Sequence, residues 1–110
     1  MIADTLRRII LPSGYLYTFG YNDSGQLGLG DTTNRNTPTK VGTDTWKAVA
    51  GGNYHSLAID SDGYLYTFGW NYYGQLGLGD TTDRNTPTKV GTSTWTAVAS
   101  GSDHSLSLGG

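Results

Sequence analysis

Gly14-Tyr15-Leu16-Tyr17-Thr18-Phe19-Gly20 returns as Gly63-Tyr64-Leu65-Tyr66-Thr67-Phe68-Gly69, 49 residues later. The same offset relates Gly25-Gln26-Leu27-Gly28-Leu29-Gly30-Asp31 to Gly74 through Asp80, Trp46 to Trp95, and His55-Ser56-Leu57 to His104-Ser105-Leu106. From Gly14 to Ile59 about three quarters of positions recur unchanged in the second copy. A period near 50 lies in the range of four-stranded propeller blades. Helical solenoids would need apolar residues at 3.6-residue spacing, and that pattern is missing between Gly14 and Gly110.

Each repeat divides into four short strands. In Trp46–Ala50, Trp46, Ala48 and Ala50 alternate with the other residues, and in His55–Ile59, Leu57 and Ile59 share a face. Asp60-Ser61-Asp62-Gly63 reads as a turn in which glycine supplies a positive φ. Tyr64–Phe68 is the third strand. A long glycine-rich connection leads to a fourth, Thr39–Val41 in the first copy, where Pro38 fits an outer edge. The expected architecture is all-β, with two four-stranded antiparallel repeats per chain, residues 14–62 and 63–110.

These residues resemble the repeat of the regulator of chromosome condensation family. The resemblance is carried by Leu16–Gly20, Asn22–Gly28, Pro38 and Val49–Leu57, and again by Leu65–Gly69, Asn71–Gly77, Pro87 and Val98–Leu106. It covers about nine tenths of the chain. It implies a propeller, usually of about seven blades, and no particular function, since that fold hosts many. In the founding member a wedge between blade strands carries nucleotide exchange, and no segment of this chain is long enough to be that wedge.

Composition narrows the partners. With 110 residues the chain is at most one small domain with a thin stability margin. A net charge of −2, with 15% charged residues, is too little positive charge to hold a phosphate backbone, so nucleic acid is not expected. The absence of cysteine excludes disulfides and thiolate metal sites. Met1–Leu11 carries Arg7 and Arg8 in its middle and no long apolar run, which reads as neither a signal peptide nor a membrane span. Residues 1–13 read either as a further strand, since Ile10 falls at the register position of Ile59, or as a docking helix or arm, since Ile2, Leu6, Ile9 and Ile10 also have helical spacing.

Two repeats do not close a ring, because isolated blades need neighbours to cover their faces. Rings typically hold four to eight blades, so about three or four chains would be required. The copies are cut out of phase: the chain opens near a third strand and ends just after a second. The third and fourth strands of the next chain would complete the leaf, a head-to-tail contact. A fragment of a longer propeller and a designed consensus protein are the other readings.

Chemistry is sparse. His55 and His104 occupy equivalent places without a recurring carboxylate or second histidine beside them, and read as buried structural imidazoles. Asp31 and Asp80, each followed by two threonines, read as turn caps, since calcium wants several acidic oxygens. Ser56 and Ser105 follow a histidine, but strand neighbours point to opposite faces and cannot form a nucleophile–base pair. The Gly-Gln-Leu-Gly-Leu-Gly loop opens no helix and has no cation beside it, a weak phosphate cradle. Neither an enzyme nor a cofactor or metal site is expected.

Differences between the copies point to a contact surface. They include Tyr21/Trp70, Asp23/Tyr72, Ser24/Tyr73, Asn53/Ser102 and Tyr54/Asp103. Most lie in the connections after the third and first strands, which emerge at one end of an up-and-down blade. Tyr21, Asp23, Tyr54, Trp70, Tyr72, Tyr73 and Asp103 are therefore the candidate binding residues, with Trp70, Tyr72 and Tyr73 as anchors. The expected partners are further copies of the chain and another protein, in a scaffold that suits a virion or cell surface. The alternative is a glycan stacked on the same aromatic face.

Overall fold

The computed structural model describes residues 13–109. Their strands are β1 (Gly14–Gly20), β2 (Arg35–Gly51), β3 (His55–Asp60), β4 (Tyr64–Gly69), β5 (Arg84–Ser100) and β6 (Ser105–Gly109). Neighbours in sequence pair antiparallel throughout, giving one sheet in chain order. There is no helix among the described residues. The expected strand or docking arm at residues 1–13 lies outside them except for Ser13.

Two sequence expectations merge. The fourth strand of one leaf and the first strand of the next are a single 17-residue strand, as in β2 and β5. The reason lies at Gly42, whose φ of 60° carries the chain through a bulge instead of a reversal. Across that bulge the partner of β2 on β1 jumps from Lys40↔Tyr17 to Thr45↔Tyr15. Asn36–Pro38 fall in a second irregularity, on the part of β2 that pairs with β1 alone, so the missing proline N–H breaks no ladder bond on an outer edge.

One complete leaf results: β2 from Trp46 onward, β3, β4 and the first part of β5. Before it stands the outer half of a leaf, from β1 and the start of β2. After it comes the inner half of another, from the end of β5 and β6. The complete leaf is covered on both faces. Leu57, Ile59 and Leu65 form a core against Val90, Trp95 and Val98 of β5. On the other face the Phe68 ring lies over Gly28, where a Cβ would come within 2.9 Å of it. Hence Leu57, Ile59 and Phe68 are buried, while Phe19, Leu106 and Leu108 in the half leaves are exposed.

The long loop after each third strand is organised by one buried asparagine. The Asn71 side chain donates to the carbonyls of Asp80 (3.1 Å) and Thr82 (2.9 Å) and to Asp80 Oδ1 (3.1 Å), and its Oδ1 accepts from Leu76 N–H at 3.0 Å. Asn22 makes the equivalent bonds to Asp31, Thr33 and Leu27. Asp31 also accepts from the Thr33 N–H and pairs with Arg35 at 2.9 Å, as Asp80 does with Thr82 and Arg84. The guanidinium bonds, followed by the turn amide, hold both carboxyls below the ordinary carboxylate value.

Replacing Phe68 by Ala should cost about 3–5 kcal/mol in denaturant unfolding, since the ring is fully buried. Phe19→Ala removes the same atoms from an exposed place and should cost less than about 1 kcal/mol in a single chain. Asn71→Ala strands the Leu76 N–H and two carbonyls, with an expected loss of about 2–4 kcal/mol. Equal effects of the two Phe variants on an isolated chain would contradict the covered-leaf arrangement.

Candidate functional site

Register fixes which loops share an end of the sheet. Gly20↔Arg35, Gly51↔Ser56 and His55↔Gly69 all sit at one end, so the connections 21–34, 52–54, 70–83 and 101–104 emerge there together. Gly69 makes this crowding feasible: its φ is 111°, and a Cβ there would lie 2.7 Å from the His55 Cα. The Trp70 N–H donates to the Tyr54 carbonyl at 2.8 Å and ties the loop after β4 to the one before β3.

The sequence-predicted aromatics converge at that end. Tyr54 lies between Tyr21 (ring centroids 6.1 Å, 61°) and Trp70 (5.8 Å, 82°). Trp70 stacks on Tyr72 at 5.7 Å and 8°, and meets Tyr73 edge-on at 5.5 Å. Tyr72 and Tyr73 are themselves edge to face at 5.0 Å. Five rings thus form one continuous ladder, in geometries that add to simple burial. Tyr21, Tyr54, Tyr72 and Tyr73 nevertheless remain 54%, 40%, 65% and 63% exposed. Asp23 is exposed beside Tyr21, and its charge, ahead of burial, pushes the Tyr21 phenol above its ordinary value of 10.0. Asp103 is not flanked by the stacked rings, but with Tyr73, at the end of the ladder, it lines a cavity of about 340 Å³ between β4, β5 and β6.

The two histidines behave differently. His55 is 1% exposed and its Nε2 lies 3.0 Å from the Ser105 hydroxyl, in the other repeat. Ser105 donates its one hydrogen to the Gln75 carbonyl at 2.7 Å, so the imidazole donates to Ser105. That polarity is opposite to a histidine-activated nucleophile, which must give its proton to the ring. Burial lowers the His55 pKa below the ordinary 6.5, against the opposing influences of the His104 backbone and Asp103. Its equivalent His104 is exposed, which corrects the expectation that both are buried: no described strand lies beyond β6 to cover it. Asn53 Nδ2 also donates to Ser102 Oγ at 2.9 Å, and Gly30 N–H to the Asn85 carbonyl at 2.8 Å, so backbone and side chains both join repeat to repeat. No group of three or more metal-ligating side chains occurs among the described residues.

Sequence reasoning missed Asn22 and Asn71 as buried hubs, and Arg35 and Arg84 as partners of Asp31 and Asp80. It also missed the His55–Ser105 pair, since it compared each serine only with the histidine preceding it. The recurrence of these residues at the repeat offset was the available signal.

Because the neutral His55 is favoured in the folded chain, protons bind better to the unfolded one. The contribution of His55 to stability is fully present above the unfolded-state value of 6.5 and is lost as pH falls below it toward the lowered folded-state value. Thermal unfolding followed from pH 8 to pH 5 should show this loss, and His55→Gln should flatten it.

The same fold recurs in known proteins. The human WBSCR16 structure superposes with a TM-score of 0.78 at 30% identity, covering 88% of this chain and 26% of that one. Yeast RCC1 (Prp20) bound to Kap60 gives 0.76 at 25% identity over 86% of this chain. A second structure of Prp20p, from Saccharomyces cerevisiae and described with its binding to Gsp1p and histones, gives 0.75 at 25% identity, again over 86%. Among curated proteins, the E3 ubiquitin-protein ligase MYCBP2 of Danio rerio is 41% identical over 55 residues, which is 46% of this chain and 1% of that protein. Ras guanine nucleotide exchange factor C of Dictyostelium discoideum is 61% identical over 28 residues, 26% of this chain and 2% of that protein. The chain therefore spans about a quarter of the solved structures and a far smaller part of the curated relatives. The regulator of chromosome condensation (RCC1) repeat matches twice, at residues 13–59 and 62–108, one match for each copy of the 49-residue period. With nearly the whole described chain accounted for in this way and the β-propeller leaf in place, the chain belongs to the RCC1 repeat family.

Proposed function

We propose that the chain is a non-catalytic protein-interaction scaffold, in which further copies complete a propeller ring of about three or four chains. Each copy adds its aromatic face to the same end of the ring. The observation that carries this reading is the ladder Tyr21–Tyr54–Trp70–Tyr72–Tyr73 at the loop end of the sheet, in which four exposed tyrosines surround a half-buried Trp70. Rigid aromatics that are already packed on one another lose little freedom on binding, and Trp and Tyr dominate interface hot spots. Propellers of this family are binding or exchange-factor proteins, and yeast RCC1 is solved with Kap60 and described with Gsp1p and histones. The His55–Ser105 pair, arranged for structure and not for nucleophilic attack, agrees with a binding role.

Trp70→Ala combined with Tyr73→Ala tests the face. Calorimetry against the proteins named with the yeast relative, Gsp1p and histones, should find binding that weakens about 30-fold or more in the double variant. The unfolding midpoint should stay within the range of a surface change. Unchanged affinity would refute the aromatic face. Binding on a glycan array, lost in the same variant, would assign the face to sugars instead.

A further inference from the structure

We propose that β6 of one copy pairs antiparallel with β1 of a second copy, in the register that joins β3 to β4 within the chain. The inference rests on the reading that copies complete the ring, and it names the contact that does so.

The chain contains its own template. β3 meets β4 as His55↔Gly69, Ser56↔Phe68, Leu57↔Thr67, Ala58↔Tyr66 and Ile59↔Leu65. β6 is the repeat equivalent of β3, and β1 of β4. Among the described residues each pairs on one side only, at opposite edges of the sheet. Carried over by the repeat offset, the register sets His104 against Gly20 of the second copy, Ser105 against Phe19, Leu106 against Thr18, Ser107 against Tyr17, and Leu108 against Leu16.

Faces and slots match as well as edges. Leu106, Leu108 and Phe19 are 62%, 67% and 62% exposed, where their equivalents Leu57, Ile59 and Phe68 are 2%, 0% and 1% exposed. Within the chain Phe68 lies over Gly28 beside Ser56. The equivalent place beside Gly77 and Ser105 is the 340 Å³ cavity, lined also by Leu76, Val90 and Trp95. Phe19 of the second copy fits there, because Gly77 repeats the glycine that makes room for Phe68. The polar joints have equivalents too. His104 would donate to Ser56 of the second copy, as His55 does to Ser105, and Gly79 N–H to its Asn36 carbonyl, as Gly30 does to Asn85.

The chain's own N-terminal residues are a poorer occupant of the β1 edge. In repeat register Leu6-Arg7-Arg8-Ile9-Ile10 stands where β3 has His55-Ser56-Leu57-Ala58-Ile59. Arg8 would then take the place of Leu57, which is 2% exposed in the core, and a buried cation without a partner is costly. β6 supplies His, Ser and Leu at the same places.

The test uses the full chain, which has no cysteine. Tyr17→Cys with Ser107→Cys places thiols on opposed residues, whose expected Cα separation of roughly 4.5–5.5 Å suits a disulfide. On mild oxidation, non-reducing gels should show a ladder of linked chains ending at the mass that light scattering gives for the unmodified protein, about three or four chains. Tyr15→Cys with Ser107→Cys, two residues out of register, should link at least about 10-fold more slowly. Leu106→Asp should reduce the assembly to single chains that remain folded, since Leu106 is already exposed in one chain.

A monomeric wild-type protein would overturn both the pairing and the ring reading. An assembly in which the mismatched pair links as fast as the matched one would overturn the pairing alone. A disulfide within one chain between Ile9→Cys and Tyr17→Cys would show the N-terminal segment on that edge and overturn the pairing too.

Discussion

A four-stranded leaf presents two largely apolar faces, and neither can be left in water without forfeiting the burial that holds it together. β3 and β4 satisfy this requirement from within the chain: Trp95 and Val98 cover one face, and the glycine loop beneath Phe68 covers the other. Much else follows from it. The loop after β1 has to be compact enough to serve as a cover, and Asn22 folds it back onto Asp31 and Thr33. The cover has to approach a phenyl ring closely, and Gly28 allows that. The join between one leaf and the next has to survive burial of polar atoms, and Ser56 and Ser105 each donate to a carbonyl of the loop that covers their leaf, of Gln26 and Gln75, at 2.7 Å.

The loops do two jobs at once. Their roots are internal struts, with Gln26 and Gln75 buried at 6% exposure and Leu27 and Leu76 holding the Thr18 and Thr67 hydroxyls through their carbonyls. Their tips carry the aromatics. Because the strut is fixed by four hydrogen bonds around one asparagine, the tip can change from Asp23-Ser24 to Tyr72-Tyr73 without disturbing the leaf. In both copies the N–H of the tip residue donates to the equivalent glutamine side chain at 2.9 Å, Ser24 to Gln26 and Tyr73 to Gln75. That bond uses the backbone and is indifferent to the side chain above it.

How much of this was legible in the sequence depends on the range over which each feature is encoded. The second and third strands were readable because alternation in His55–Ile59 and Tyr64–Phe68 brackets a turn whose Gly63 has a φ of 94°. The fusion of fourth and first strands was not. Val41-Gly42-Thr43-Asp44 has the composition of a turn, and only the register shows that the chain passes through it as a bulge. The hub asparagines were equally opaque: Asn in a glycine-rich loop reads as a turn former, and its true partners lie nine and eleven residues away. The aromatic cluster was legible by another route, since comparing the copies singled out Tyr21, Tyr54, Trp70, Tyr72 and Tyr73 and the sheet then drew those loops to one end. Arg35 was hidden because an i,i+4 ion pair is normally looked for on helices, and this one spans an irregular loop.

The distribution of identity between the two copies separates what the leaf needs from what it tolerates. The residues that bury or bridge are the same in both: Phe19 and Phe68, Gly28 and Gly77, Gln26 and Gln75, Asn22 and Asn71, Ser56 and Ser105. Yet their surroundings differ sharply, since Phe68 is enclosed and Phe19 is open. Exposure here is a property of the neighbour and not of the residue, so an apolar side chain at a terminal leaf is not evidence of a surface role. The tips follow the opposite rule. Tyr54 and Asp103 occupy equivalent places on the same backbone and share no chemistry, and the change leaves the leaf beneath them in register. The exchanges of a ring for a carboxylate, Tyr54 for Asp103 and Asp23 for Tyr72, fall at the loop end of the sheet, beyond the paired strands, where the register they leave behind is the same in both copies.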